Sequence, residues 1–323
     1  MVQPIEQNAQ DSVNAKPIDR GILRKAVHKH EMKLYVMAVV INVTIVLYLL
    51  VSLGNVIGNS IERFIEIIDE AAVVYAYNPE EGEILAYELG TSWGETLVEE
   101  LSVPIIVVVI PFVLLITLYT LYAKVRAYSV KVTEKNFPEI YYKSVEFSKK
   151  LGLKKVPEVY IQQGNGVINA FAMAVFGRRI SMLHAELVDV AYMEENKDFE
   201  TVYFVLAHEF AHIYLNHVSI PVNLSIAFSR IIPIFSPAFS RAREYSCDRI
   251  AQVLTDSNGL PGIMVLSVGR RLYKKVDIDN YLDTVKKQKG FFLWYTNLMA
   301  SHPIFPKRVA ALTDPQQRSG KLF

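Results

Sequence analysis

The sequence predicts an α+β fold that is mainly helical, carries a small β-sheet and is anchored by two N-terminal transmembrane helices. Three observations lead to this prediction: two long uncharged apolar runs, three short runs of strand type, and helical patterns on both sides of those strands. Of the 323 residues, 51% are hydrophobic, and the mean hydropathy is +0.22. This is too apolar for an ordinary soluble enzyme, and the excess lies in the two uncharged runs.

The uncharged runs divide the chain into five parts. Residues 34–53 and 103–123 are each long enough to cross a bilayer as a helix. Residues 54–102 carry eleven acidic residues and one basic residue, whereas Lys and Arg precede the first run and follow the second. The positive-inside rule therefore predicts an integral cell membrane protein, with residues 1–33 and the domain 124–323 in the cytosol and the acidic segment outside. Residues 1–33 have no early apolar core and do not resemble a cleavable signal peptide.

A short amphipathic helix is predicted just before the first run. Leu23 and Ala26 lie on an apolar face, while Arg20 and Arg24 lie elsewhere. The pattern fits an interfacial helix on an anionic leaflet and equally fits ordinary juxtamembrane basic residues. Both interpretations make the lipid bilayer a partner.

Net charge and cysteine content exclude other classes of protein. The formal net charge is +1, so no domain-wide basic excess is present to neutralise phosphates, and we expect no nucleic-acid partner. Cys247 is the single cysteine, which rules out an intrachain disulfide and suits a reducing compartment.

The domain 124–323 is predicted to contain a small sheet between helices. Glycines mark the end of one helix and the turn of a hairpin. In chain order we predict a helix over 137–151 ended by Gly152, strands over 158–162, 167–176 and 179–183 with a hairpin turn at Gly177, a buried helix leading into 207–212, and a helix beginning near Ser240.

The run Ala207-His208-Glu209-Phe210-Ala211-His212 has the spacing of a zinc-hydrolase motif. On a helix of about 3.6 residues per turn, His208 and His212 project from nearly the same face and can reach one metal ion. Glu209 would lie beside the open position, where it can accept a proton from an activated water and pass it to a leaving amine. The pattern predicts peptide-bond hydrolysis in a zincin-type metallopeptidase domain that binds one zinc ion per chain.

Two residues compete as the third metal ligand. Glu244 and Asp248 share a helix face at i and i+4, and can supply an oxygen ligand and a carboxylate behind the ligands. His217 lies nine residues after His208, about 2.5 turns, and would point to the opposite face unless the helix breaks. We therefore predict Glu244 as the ligand and expect the loss of His217 to leave zinc binding unchanged.

Residues 218–240 are apolar enough to suggest a third span. A single crossing is excluded, because His212 and the carboxylates after Ser240 must meet at one metal ion. The connection is too short for two spans of about 20 residues each. We interpret it as helical segments that lie against or dip into the membrane surface, with a core hairpin of the soluble domain as the alternative.

Together these motifs resemble the HtpX-like and CAAX-prenyl-protease family of integral-membrane zinc metallopeptidases, which belongs to the gluzincin group. The resemblance covers roughly residues 137–312. It is carried by the HEFAH run, the Glu244…Asp248 pair, Asn169-Ala170-Phe171-Ala172, Leu151-Gly152-Leu153, Ser301-His302-Pro303 and Arg308.

The resemblance implies a role for each matched residue. The zinc ligands would be His208, His212 and Glu244, with Glu209 as the base. Asp248 would orient a ligating histidine, and His302 would stabilise the oxyanion. By the same resemblance Asn169 and Arg308 would position substrate or the groups behind the ligands, and Ala170, Phe171 and Ala172 would form the edge strand that pairs with an extended substrate.

The chain resembles the HtpX-like branch more than the CAAX-processing branch, because it has two clear spans and not many. That branch implies a metalloendopeptidase acting on membrane-associated proteins or peptides in membrane-protein quality control. A dedicated peptide-maturation protease and a catalytically silent chaperone or binding module are the alternatives. Cys247 stands where the family has a small apolar residue, and we interpret it as a buried small hydrophobe, with a redox-sensitive thiol as the alternative.

Overall fold

The computed structural model describes residues 5–193, 197–287, 290–313 and 320–322. The described chain contains fourteen α-helices and a four-stranded sheet. The helices are α1 (Ile5–Asn14), α2 (Arg20–Ala26), α3 (Glu31–Tyr77), α4 (Pro79–Leu101), α5 (Ile106–Tyr128), α6 (Pro138–Lys150), α7 (Ala185–Tyr192), α8 (Phe199–Tyr214), α9 (Ile220–Leu224), α10 (Phe235–Thr255), α11 (Leu260–Val268), α12 (Ile278–Lys287), α13 (Phe291–Met299) and α14 (Phe305–Thr313). The strands are β1 (Val130–Lys131), β2 (Glu158–Gln162), β3 (Ala170–Val175) and β4 (Arg178–His184).

The fold is the predicted one, mainly helical with a small sheet. The chain divides into two compact units, one made of residues 1–39 and 119–323 and the other of residues 40–118. The second unit contains most of α3, all of α4 and the start of α5. Inside it Trp93 donates a hydrogen bond from Nε1 to the carbonyl of Ser60 at 3.0 Å, which joins α4 to α3.

Two described helices are long and apolar enough to cross a membrane, α3 and α5. Helix α3 contains the first run predicted as a span, and α5 contains the second run from residue 106 onward. Helix α3 continues well past residue 53, and the acidic segment is almost wholly helical in α3 and α4. The side of the membrane on which that segment lies stays a prediction.

The sheet has the strand order β1-β2-β4-β3. Strands β3 and β4 form the predicted antiparallel hairpin, with Gly177 in the left-handed conformation at its turn (φ 73°). Strand β2 pairs parallel with β4, and β1 pairs antiparallel with β2. The order leaves β3 at one edge of the sheet, where its second row of backbone hydrogen-bonding groups faces away from β4.

Helix α8 is the centre of the larger unit. It is buried on nearly all faces, as expected for a helix that is apolar all round, and it packs against α10, α7, α6 and β3. Phe204, Leu206 and Phe210 belong to the main core cluster and are almost fully buried. Each such side chain contributes about 1.5–3 kcal/mol through burial, and together they fix α8 in place.

Helix α2 packs part of its apolar face into the protein. Leu23 and Ala26 are buried in the same core cluster as α8, whereas Ile22 is half exposed. The basic residues Arg20 and Arg24 are exposed. Part of the predicted apolar face therefore serves the packing of this domain, and contact of the helix with a leaflet stays a prediction.

Helix α10 begins five residues before the predicted Ser240. Pro237 lies in its first turn, where a missing N–H costs nothing. Residues 320–322 run beside this helix: the Leu322 carbonyl accepts from Arg241 Nε at 2.8 Å, and the Lys321 carbonyl accepts from the Tyr245 hydroxyl at 3.1 Å. The segment before α10 contains α9 and a 3-10 turn at Phe228–Ile231, short helical pieces as predicted.

Candidate active site

Helix α8 places two imidazoles and a carboxylate at one buried position. Asp198 caps the helix by accepting the Thr201 N–H at 3.0 Å, which satisfies a backbone donor of the first turn. One turn apart near the other end, His208 and His212 face each other, with their Nε2 atoms 3.2 Å apart. As the helical spacing predicts, His208 and His212 project from the same face of α8.

Helix α10 brings Glu244 to the same point. Its Oε2 lies 3.4 Å from His208 Nε2, and its Oε1 lies 3.4 Å from His212 Nε2. Four-coordinate zinc holds nitrogen and oxygen ligands at about 2.0–2.2 Å in a tetrahedron, which puts neighbouring ligand atoms about 3.3–3.6 Å apart. The two imidazole nitrogens and the two carboxylate oxygens are therefore close to the spacing of zinc ligands, and the donor set suits zinc.

Cys247 offers a second possible grouping, because its sulfur and nitrogens of His208 and His212 all lie within 4.8 Å of one another. The thiol is fully buried, and burial raises its pKa well above the ordinary value, so it stays protonated. Its sulfur also lies 3.6 Å from His217 Nδ1, behind His212. Glu244 faces both Nε2 atoms and fits the metal better. The buried position agrees with the interpretation of Cys247 as a small hydrophobe.

Asp248 fixes the orientation of His208 from behind. Its Oδ1 lies 2.8 Å from His208 Nδ1, so an N–H donated there leaves the Nε2 lone pair free for a metal ion. Arg308 donates two hydrogen bonds to Asp248, from Nε at 2.8 Å and from Nη2 at 2.5 Å. All three side chains are buried. The bidentate pair holds the carboxylate in one geometry.

The electrostatic environment favours a cation at the ligand triangle. Burial alone lowers the pKa of His208, but its hydrogen bonds to Asp248 and Glu244 outweigh burial and raise the pKa to about 10. Burial raises the pKa of Glu244, yet contacts with His208, His212 and His302 bring it well below the ordinary value. The surrounding carboxylates thus favour positive charge at the ligand triangle.

Glu209 lines a cavity of about 510 Å³ beside the triangle. The carboxylate is buried, and this burial raises its pKa above the ordinary value. A base with a raised pKa accepts a proton more readily near neutral pH. The position and the basicity of Glu209 both suit proton transfer in the cavity.

His302 reaches the same cavity from the segment before α14. Its Nδ1 lies 3.0 Å from Glu244 Oε2, and most of its side chain is exposed. The hydrogen bond to Glu244 raises the pKa of His302. The structure therefore brings His302 to a ligand carboxylate at the mouth of the cavity.

The edge strand begins at the cavity. Asn169 and Ala170 line it, and the Asn169 side-chain oxygen accepts the Ala170 N–H at 2.9 Å. Phe171 and Ala172 continue along β3, opposite Met182 and Ser181 of β4. The other edge of β3 has no neighbouring strand in the described sheet. An extended peptide could add to this edge by main-chain hydrogen bonds while its backbone passes the cavity.

The contacts of His217 and Glu31 beside the ligand helix were not predicted from the sequence. Helix α8 ends at Tyr214, and Asn216 takes a left-handed conformation (φ 58°) that turns the chain back. His217 Nδ1 then lies 3.0 Å from His212 Nδ1, and His217 Nε2 lies 2.9 Å from Glu31 Oε1. The expectation that His217 points to the opposite face was wrong, because the helix breaks before it. Asn216 is a residue type that tolerates such a conformation, and it was the available signal.

Helices α8 and α10 therefore form the candidate centre of a metallopeptidase, in a chain with two described helices able to span a membrane. The chain belongs to peptidase family M48, whose family model matches residues 134–229 and 219–316. This agrees with the range over which the sequence resembles HtpX-like peptidases. A protease HtpX homolog from Fusobacterium nucleatum subsp. nucleatum is 25% identical, over 54% of this chain and 68% of the relative. The protein is thus an HtpX-like membrane protease.

Proposed function

We propose that this protein is a zinc metalloendopeptidase that cleaves membrane-associated proteins or peptides at the cytosolic face of the membrane, in membrane-protein quality control. One observation carries the enzymatic part: the Nε2 atoms of His208 and His212 are 3.2 Å apart, and each lies 3.4 Å from one oxygen of Glu244. This spacing supports one zinc ion per chain. The excess of Lys and Arg beside both candidate spans supports the cytosolic orientation.

His208, His212 and Glu244 would hold the metal ion, with Asp248 and Arg308 behind them. The other residues of the cavity bind substrate and transfer protons. When bound, zinc supplies a Lewis acid that activates water and polarises the scissile carbonyl. Glu209 takes the proton of the attacking water and delivers it to the leaving amine nitrogen. The His302 ring donates to the developing oxyanion. Asn169 and the edge strand hold the substrate backbone beside these groups.

A catalytically silent module is disfavoured by the same geometry. A silent protein needs neither the buried base Glu209 nor the two hydrogen bonds that Arg308 gives to Asp248. Buried charges of this kind are costly to keep without a use. Their convergence on one cavity supports an active enzyme.

The test is Glu209→Gln in purified full-length protein. The amide cannot accept the proton of the attacking water, whereas the three ligands stay intact. We expect zinc content equal to wild type and a loss of proteolysis of an unfolded reporter protein by about 10²–10⁴-fold. Undiminished proteolysis by the zinc-loaded variant would contradict the role of Glu209 as the base.

A further inference from the structure

His212 has its own buried partner, comparable to the one that Asp248 provides for His208. The two Nδ1 atoms of His212 and His217 are 3.0 Å apart, and the far nitrogen of His217 is 2.9 Å from Glu31 Oε1. His217 and Glu31 are both buried. A chain of three side chains therefore leads from a metal ligand to a carboxylate far away in sequence.

The proton positions along this chain follow from chemistry. A carboxylate is an acceptor, so His217 donates its Nε2–H to Glu31 and keeps a lone pair on Nδ1. That lone pair accepts the Nδ1–H of His212, which leaves the His212 Nε2 lone pair directed at Glu244 and the metal position. Each neutral ring thus has one defined tautomer.

Glu31 is held in place by contacts with helix α10. The Ser246 hydroxyl donates to Glu31 Oε2, and the same hydroxyl accepts the His28 N–H at 2.8 Å. Arg243, on the same helix, donates to the His217 carbonyl at 2.5 Å. Glu31 is also the first residue of α3, the helix that contains the first candidate span. The position of the carboxylate is therefore tied both to the ligand helix and to the start of that span.

We propose that His217 and Glu31 are positioning residues for His212, so that the segment entering the first candidate span is a working part of the metal centre. This inference rests on the proposed zinc chemistry. Loss of a hydrogen-bonded partner behind a ligating histidine typically weakens metal binding about 10–100-fold. We expect a loss of that size when the His212–His217 contact is removed, in contrast to the expectation from the sequence.

Two substitutions at one position separate positioning from simple packing. His217→Asn puts an amide oxygen near the place of Nδ1 and keeps an acceptor for His212, but loses Glu31. His217→Gln reaches the place of Nε2 and keeps the contact with Glu31, but loses His212. If His217 positions the ligand, the Asn variant retains more zinc affinity than the Gln variant. A merely structural tie to Glu31 gives the reverse order.

The measurement is zinc affinity of the full-length protein by competition with a chelator, with the visible spectrum of the cobalt(II)-loaded protein as a second readout. Neither depends on proteolysis. We expect His217→Gln to lose about 10–100-fold in affinity and to change the cobalt spectrum. Glu31→Ala should also weaken binding, with no added loss when it is combined with His217→Gln, because Glu31 acts through His217. If Glu31→Ala does not fold, Glu31→Gln should show a smaller loss of the same sign.

The matched control is Glu139→Gln. Glu139 is as buried as Glu31 and accepts a hydrogen bond from Tyr192 at 2.8 Å, without contact to a ligand. It should bind zinc as wild type does. Wild-type affinity in His217→Gln, or an equal loss in Glu139→Gln, would overturn the inference. Wild-type protein that binds no metal would instead overturn the proposed function itself.

Discussion

Removal of the Arg308 side chain tests how the centre is held together. Arg308→Met keeps much of the apolar stem but takes away both hydrogen bonds to Asp248. The Asp248 carboxylate, 1% exposed, then keeps only its contact with His208. A buried charge without its partner is strongly unfavourable.

The expected cost can be stated from this geometry. Breaking a buried ion pair by removing one partner costs about 3–5 kcal/mol. For a domain of this size, each kcal/mol lowers the melting temperature by about 2–4 °C, so the expected decrease is about 6–20 °C. Asp248→Asn combined with Arg308→Met should cost less than the sum of the two single changes, because neither charge is then left alone.

Thermal unfolding of chelator-treated protein is the assay, because bound metal would add its own stabilisation. Arg178→Met is the matched control: Arg178 pairs with Glu158 at 2.9 Å, and more than half of its side chain is exposed. Such surface pairs contribute about 0–1 kcal/mol. A decrease for Arg308→Met no larger than for Arg178→Met would refute the assignment of a buried, stability-determining pair.

Three further predictions concern the ligands, the site helix and the topology. Glu244→Ala should weaken zinc binding strongly, because it removes a ligand. Loss of a residue that only hydrogen-bonds to a ligand costs about 10–100-fold, and the loss for Glu244→Ala should be larger. Equal zinc affinity in variant and wild type would show that the ligand assignment is wrong. Asp198→Ala should destabilise the protein by about 1–2 kcal/mol, because it removes the cap of α8. Burial raises the pKa of Asp198, but hydrogen bonds from Tyr273 and Thr201 bring it below its ordinary 3.8, so the stabilisation is present above that pH and is lost as the pH falls through the folded-state pKa. Melting temperatures of wild type and variant should therefore converge in acid, and a constant gap would contradict this. A cysteine placed at Glu81 should react with an impermeant reagent added to intact cells, whereas one at Lys287 should be protected; the opposite pattern would mean an inverted topology.

The local parts of the fold could be predicted from the sequence. The strand β2 has the predicted bounds, and the hairpin turn lies at Gly177 as expected. These features depend on residues close in sequence, where period and turn chemistry are visible. The α8 motif was recognisable for the same reason, since its spacing is set by one helical turn.

The parts that depend on distant residues were harder to predict. The apolar face of α2 suits a membrane surface and a protein core equally, and only the folded chain shows that Leu23 packs in the core. The contact of His217 with Glu31 joins residues separated by 186 positions. No local pattern encodes such a contact. Glu244 was indicated by its pairing with Asp248 on one helix face and by the family resemblance, and not by any pattern that joins its helix directly to α8.

The contacts between α10 and residues 320–322 have a consequence for biosynthesis. Arg241 reaches the carbonyl of Leu322, 81 residues later, and its guanidinium also donates to the carbonyls of Leu298 and Ala300. At about 5–20 residues per second, a ribosome needs about 4–16 s to cover that distance. Helix α10, which carries Glu244, therefore gains these carbonyl partners well after its own synthesis. During that interval both candidate spans have already left the ribosome, so insertion into the membrane can precede completion of the active centre.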